Sequence, residues 1–228
     1  MIKYIDKLKK KINYILFKKI NSKKIFFNIP LKTNRINNFL ELKNILDRSN
    51  FLWSGNWDDK KLNLINYRKY SPSYNSIFQI YHEQIDYKQC EEYNIKANLI
   101  LDGKKSGRGQ TLEELDKYFL SLDNLKESLK KFGYKSQTEL DNTIKKNDEI
   151  GVVIGKNWDV IKLQDKFGGT HRFALCKILD IKEIIVSVKA MHSSLFEKKE
   201  IKKILSEDNH DDIKLYLKKK VLENIDLS

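Results

Sequence analysis

The residues best suited by type and spacing to do chemistry lie together in Phe167-Gly168-Gly169-Thr170-His171-Arg172. Paired glycines let a backbone approach a ligand closely. The stretch Thr170–Leu179 reads as a helix with Phe173, Ala174, Ile178 and Leu179 inward. Its first N–H groups then point outward unpaired, and its dipole adds positive charge there. Gly168, Gly169, Thr170, His171 and Arg172 thus describe a phosphate cradle, with Arg172 as a bidentate clamp. The alternative is that Thr170 merely caps the helix while His171 and Arg172 pack locally.

Other polar groups stand further along the chain. His192 ends a β-branched strand, Ile184–Val188 and onward, which puts it either at the rim of that cradle as an acid/base or on an exposed strand end. Gly107, Arg108 and Gly109 precede a helix opened by a Thr111/Glu114 capping box. That loop is a second anion site or a plain turn, and it lacks the spacing of a Walker A motif. Trp53, Trp57 and Tyr70 either stack on a sugar or base or pack within the N-terminal region. His82 and His210 read as surface or capping residues. Cys90 and Cys176 form no zinc pattern and read as reduced thiols.

The elements that must position these groups follow from periodicity. Residues 2–20 read as an amphipathic helix with Lys3, Lys7, Lys10, Lys11 and Lys18 largely on one face. Residues 25–31 are a short apolar stretch closed by Pro30. Residues 36–49 and 74–94 read as helices, the latter with Ile77, Ile80, Tyr81, Gln84 and Ile85 inward. Helices follow over 112–121, 123–132 (ended by Gly133) and 137–146. Residues 150–154 and 160–163 read as a β-hairpin, and 195–206 and 210–225 as charged helices.

Charge narrows the function classes. The 228 residues carry a net charge of +13. Residues 1–24 hold nine Lys and one Asp, a net +8, and only five basic residues in the chain are Arg. The excess is chiefly a property of the tail, which suits an anionic surface better than DNA along the body. No apolar run approaches the ~20 residues of a membrane span, and lysines interrupt any signal-peptide core.

Residues 148–192 (DEIGVVIGKNWDVIKLQDKFGGTHRFALCKILDIKEIIVSVKAMH) resemble the ParB/sulfiredoxin superfamily. Phe167–Arg172 resembles the sulfiredoxin signature FGGCHR. Trp57-Asp58 and residues 122–137 are more weakly similar to ParB-like proteins met beside cell-surface polysaccharide genes. The resemblance implies a nucleotide or phosphosugar site at 168–172. It also implies an acidic residue before the first strand that assists Mg²⁺ or acts as base, here Glu149 with Asp148 second. Thr170 stands in place of the sulfiredoxin Cys, so sulfinic-acid reduction is not supported. Gly168 stands where other relatives carry Asp, and Asp165 is the nearest substitute.

The expected fold is α+β: a ParB/sulfiredoxin-like small mixed sheet with helices at 148–192, after a basic helix at 1–24 and a mainly helical region at 25–147, and before C-terminal helices at 193–228. The expected function is a cytoplasmic transferase using a phosphorylated donor such as a nucleotide or phosphoribosyl pyrophosphate. Glu149, His171 and His192 are its candidate catalytic groups. A kinase-like or glycosyl/phosphoribosyl transferase in surface-polysaccharide assembly would meet a lipid-linked glycan acceptor on the inner membrane face through residues 1–24. The alternatives are a ParB-like nucleotide-dependent DNA-binding protein and a non-catalytic nucleotide-binding module. Nucleic acid is the less favoured partner, because residues 193–228 are short and balanced in charge.

Overall fold

The computed structural model describes residues 27–41, 51–140, 149–164, 168–196 and 213–216. The fold is α+β, with a mixed seven-stranded sheet. The strands are β1 (Phe27–Lys32), β2 (Ile36–Leu40), β3 (Leu52–Trp53), β4 (Leu62–Asn63), β5 (Ile150–Ile154), β6 (Val160–Leu163) and β7 (Glu183–His192). Their order is β1-β7-β5-β6-β2-β4, with β3 pairing the far end of β7. The helices are α1 (Pro72–Tyr81), α2 (Glu91–Leu101), α3 (Leu112–Phe132), the short α4 (Gln137–Leu140) and α5 (Thr170–Ile178). The expected helix over 2–20 and most of those over 195–206 and 210–225 lie outside the described residues, as do residues 141–146 of the expected 137–146 helix; residues 195–196 close a short 3-10 turn, Ser193–Phe196.

The expected hairpin is present. β5 and β6 pair antiparallel, Val153 against Ile161, and β5 runs parallel to β7. Parallel neighbours need a crossover, and β6 with α5 supplies it. Side chains alternate across a strand. Val152, Ile154, Val186 and Val188 therefore join Ile77, Phe119 and Phe173 in a core on the helical side. Val153, Ile161, Leu163 and Ala190 face the other way, against Leu40, Trp53 and Trp57. A strand buried on both faces reads as a continuous apolar run, and IGVVI is one.

Region 25–147 is mainly helical among its described residues, as expected, and it also contributes four of the seven strands. β1 lies antiparallel on β7, Phe27 opposite Val188 and Lys32 opposite Glu183, so the sheet crosses the expected boundary at 148. Residues 36–40 are a strand, not the start of a helix. Ile36 and Phe39 share the helical-side core at a three-residue spacing that mimics a helix. A register shift against β6 between Ile36 and Asn38 produces that spacing within a strand. The rest of the expected 36–49 helix lies outside the described residues.

Residues 74–94 are two helices, not one. α1 starts at Pro72, with Ser71 capping the Tyr74 N–H at 3.1 Å. Gln84 then turns the chain at φ 58°, exposed rather than inward. No Gly or Pro marks that break. The expected pair 112–121 and 123–132 is one helix, α3, ended by Gly133 as expected. Asp123 is tolerated on its solvent face. Among the described residues no helix is long and apolar enough to cross a membrane.

Candidate functional site

Gly168 and Gly169 enter α5 at φ 82° and 71°, a left-handed pair that side chains resist. A Cβ on Gly169 would lie 2.7 Å from the Ile150 Cα, so the start of α5 presses on the first residue of β5. Gly169, not Thr170, is the N-cap residue, and its carbonyl accepts the first helical bond from Phe173 N–H at 2.8 Å. The amides of Thr170, His171 and Arg172 precede that bond and have no intrahelical acceptor. Thr170 is 5% exposed, and its hydroxyl has no hydrogen-bond partner. A buried hydroxyl without a partner costs about 1–3 kcal/mol.

His171 is bonded at both ring nitrogens. Nε2 lies 2.5 Å from Glu92 Oε2, and Nδ1 lies 2.7 Å from the Tyr118 hydroxyl. Glu92, on the first turn of α2, is buried, and Arg108 Nε donates to its Oε1 at 3.2 Å. Burial raises the carboxyl pKa. The hydrogen bond and charge of His171, then Arg108 and Ser73, outweigh it and hold the group at about 2. An ionised carboxylate only accepts, so Nε2 carries a proton, and in the neutral imidazole Nδ1 accepts from Tyr118 O–H. The Arg108 guanidinium sits over the Tyr118 ring, 4.7 Å from its centroid. Burial pushes the Tyr118 phenol up to about 12, against a lowering by Arg108 and with a rise from Glu92.

Arg172 turns the other way. Its NH1 lies 2.9 Å from Glu149 Oε2 and 3.1 Å from the Tyr134 hydroxyl, which itself donates to Glu149 Oε2 at 2.6 Å. Glu149 Oε1 accepts the Gln137 N–H at 2.5 Å. Burial, the largest influence, raises the Tyr134 phenol pKa, and nearby Glu149 raises it further against the lowering by Arg172. The expected clamp is thus engaged in a buried ion pair. Glu149, 1% exposed and held by three donors including a guanidinium, does not fit the expected Mg²⁺ ligand or free base. Asp148, Asp165 and Phe167 lie outside the described residues, among which no group of three or more His, Cys, Asp or Glu converges on a metal site.

The glycine loop before α3 is not a separate anion site in this arrangement. Arg108 leaves it for Glu92, its own N–H donates to Ser106 Oγ at 3.0 Å, and Ser106 closes the loop onto the Gly109 carbonyl. Gly107 takes φ 76°. A Cβ on Gly109 would come 2.8 Å from the Glu114 Cβ, so its glycine serves packing on α3. The loop and the His171 neighbourhood are one network joined through Glu92.

His192 is elsewhere. Ile150 pairs with Val186, so His192 stands six residues down β7, about 20 Å from the α5 entrance. Its Nε2 donates to the Gly55 carbonyl at 2.8 Å, Nδ1 accepts the Ser194 N–H at 3.2 Å, and the ring stacks on Trp57. This is a satisfied packing histidine, not a rim acid/base. Trp53 and Trp57 are core residues in edge contact, and Asp58 pins the β5–β6 turn by accepting the Lys156 N–H at 2.7 Å. The buried thiols are inert: burial raises the Cys90 pKa and pushes Cys176 up to about 12. A cavity of about 320 Å³ opens at the other end of α5, beside Cys176, Lys177 and Lys182. Two of its lysines are engaged, Lys177 with the Thr33 carbonyl and Lys182 with Asp180.

Glu92, Tyr118 and Tyr134 are the polar residues that sequence reasoning missed. Glu92 falls near the end of the single helix read over 74–94, and Tyr118 within the helix read over 112–121. Their partner, His171, is 79 residues from Glu92 and 53 from Tyr118, beyond any local pattern. No family model matches the chain, and no curated protein or solved structure gives a significant match.

Proposed function

We propose that the chain is a transferase that seats the phosphates of a donor, a nucleotide or phosphosugar, at the entrance of α5. The observation that carries this reading is the buried Thr170 hydroxyl, without a hydrogen-bond partner, at a helix start whose first amides have no intrahelical acceptor. A phosphate oxygen satisfies that hydroxyl and those amides at once, and the helix dipole favours its charge. His171 adjoins the seat with Glu92 behind it, which suits acid/base work. The resemblance of residues 148–192 to the ParB/sulfiredoxin superfamily supports the same seat. Arg172 contributes by anchoring the first turn to Glu149 rather than by clamping phosphate, and Glu149 and His192 leave the catalytic set. Residues 1–24, which lie outside the described part, supply contact with an anionic membrane surface in this reading.

The test is a thermal-stability screen of the full chain against ATP, ADP, CTP, phosphoribosyl pyrophosphate and duplex DNA, with and without Mg²⁺. The informative variant is Thr170→Val, which removes the hydroxyl and keeps the shape. Arg172→Ala is a poor probe, because stranding a buried carboxylate costs about 3–5 kcal/mol whatever the ligand. A donor at a hundredfold excess over Kd stabilises by about 2.7 kcal/mol, roughly 5–10 °C in Tm. A rise of that size in wild type, absent in Thr170→Val, supports the seat. Stabilisation by DNA alone, untouched by Thr170→Val, overturns it. Removing residues 1–24 is expected to abolish sedimentation with anionic vesicles.

A further inference from the structure

Tyr118, His171 and Glu92 stand in the order that activates a nucleophile: hydroxyl, base, and a group that orients the base. The Tyr118 hydroxyl is 2.7 Å from Nδ1, and Nε2 is 2.5 Å from Glu92. Glu92 accepts from Nε2–H, so in the neutral imidazole the Nδ1 lone pair faces the phenol. Burial disfavours the phenolate, and Arg108 over the ring offsets part of that as the proton leaves. Tyr118 is half-buried, whereas Glu92 and His171 are buried, so Tyr118 is the least buried member of the relay. The backbone of His171 belongs to the helix start that seats the donor, which brings the phenol within one imidazole of that seat.

We infer that Tyr118 is a nucleophile that takes up a phosphoryl group, with His171 as its base and Glu92 as the residue that positions the base. The inference rests on the phosphorylated-donor reading for its substrate class. In the step, Tyr118 Oη attacks phosphorus and an Oη–P bond forms. The bond from phosphorus to the donor's bridging oxygen breaks and its electron pair leaves with that oxygen. The phenol proton passes to Nδ1 and is available to the leaving oxygen. An aryl phosphate on Tyr118 is the product, ready for transfer to an acceptor hydroxyl.

A donor-independent probe tests this apart from the phosphate seat. Diisopropyl fluorophosphate presents an electrophilic phosphorus whose fluoride leaves, and it needs no seat at Thr170. The full chain is treated with it, and adducts on the eleven tyrosines are followed by peptide mass mapping over time. The expected result is Tyr118 labelled at least tenfold faster than Tyr70, a more exposed phenol with no such base, and the labelling rate of Tyr118 cut at least tenfold by Glu92→Gln. The comparison within the wild-type chain decides the matter even where the Glu92→Gln variant folds poorly. Labelling of Tyr118 at or below the rate of Tyr70 overturns the proposal, as does a rate unchanged in a well-folded Glu92→Gln chain. Selective labelling with no donor in the stability screen would uphold the nucleophile and remove the seat.

Discussion

Glu92 holds a negative charge where 1% of its side chain meets solvent, and it does so because His171 and Arg108 converge on it. Its folded-state pKa of about 2 lies below the ordinary value of 4.5. Between those values the unfolded chain binds more protons, so stability is full above pH 4.5 and falls as pH drops toward 2. The difference corresponds to about 3 kcal/mol, at 1.36 kcal/mol per pH unit. Urea denaturation of the wild type between pH 6 and pH 2 is expected to show that loss. Glu92→Gln should start less stable and lack this part of the acid slope; an identical slope in both chains would mean that other carboxylates carry it. At the same scale, the expected roles of Arg172 and Glu149 were displaced by each other. Opposite charges buried within 2.9 Å are costly to separate, so neither is free to meet a ligand.

The element that organises the site is the entrance of α5. The left-handed pair Gly168-Gly169 turns the chain out of the segment after β6, and the contact of Gly169 with Ile150 sets the helix start against β5. Gly169→Ala meets both the left-handed penalty and a Cβ overlap with backbone, and is expected to cost about 2–5 kcal/mol, read as a lowered urea midpoint. A cost under 1 kcal/mol would show that the entrance is pliable. Legibility differed between elements for a physical reason. The α5 glycines, the β5–β6 hairpin, the Thr111 cap and Gly133 announce themselves, because local conformation demands those residue types. β2 did not, since a bulge gave it helical spacing. The break after α1 did not either, since it falls at Gln84 with no glycine to mark it.

Across the whole molecule, the unit at 148–192 is not a free-standing domain. β7 is flanked by β1 and β5, and β6 is flanked by β5 and β2, so half of the sheet's pairing comes from residues before 41. The helical-side core also draws on α1, α2 and α3. A fragment of residues 148–228 would expose the edge of β7 and one face of β5, and is expected to be unfolded or aggregated. Circular dichroism and amide NMR dispersion of that fragment check this; a cooperative thermal transition in it would contradict it. The same interleaving explains why His171, Arg108 and Tyr118, read from separate stretches or not read at all, form one network.

What the sequence determined by itself was local. It specified the α+β class, the turn glycines, the helix start at Thr170, and a charge excess concentrated in residues 1–24. These follow from periodicity, φ preferences and counting, which need no distant partner. Only the tertiary structure decided which polar side chains stay available. It placed Glu92 and Tyr118 on His171, committed Arg172 to Glu149, sent His192 to the far end of β7, and left the Thr170 hydroxyl without a partner. Those outcomes depend on burial and on hydrogen bonds between residues tens of positions apart, where a buried charge or hydroxyl takes whichever partner the packing brings.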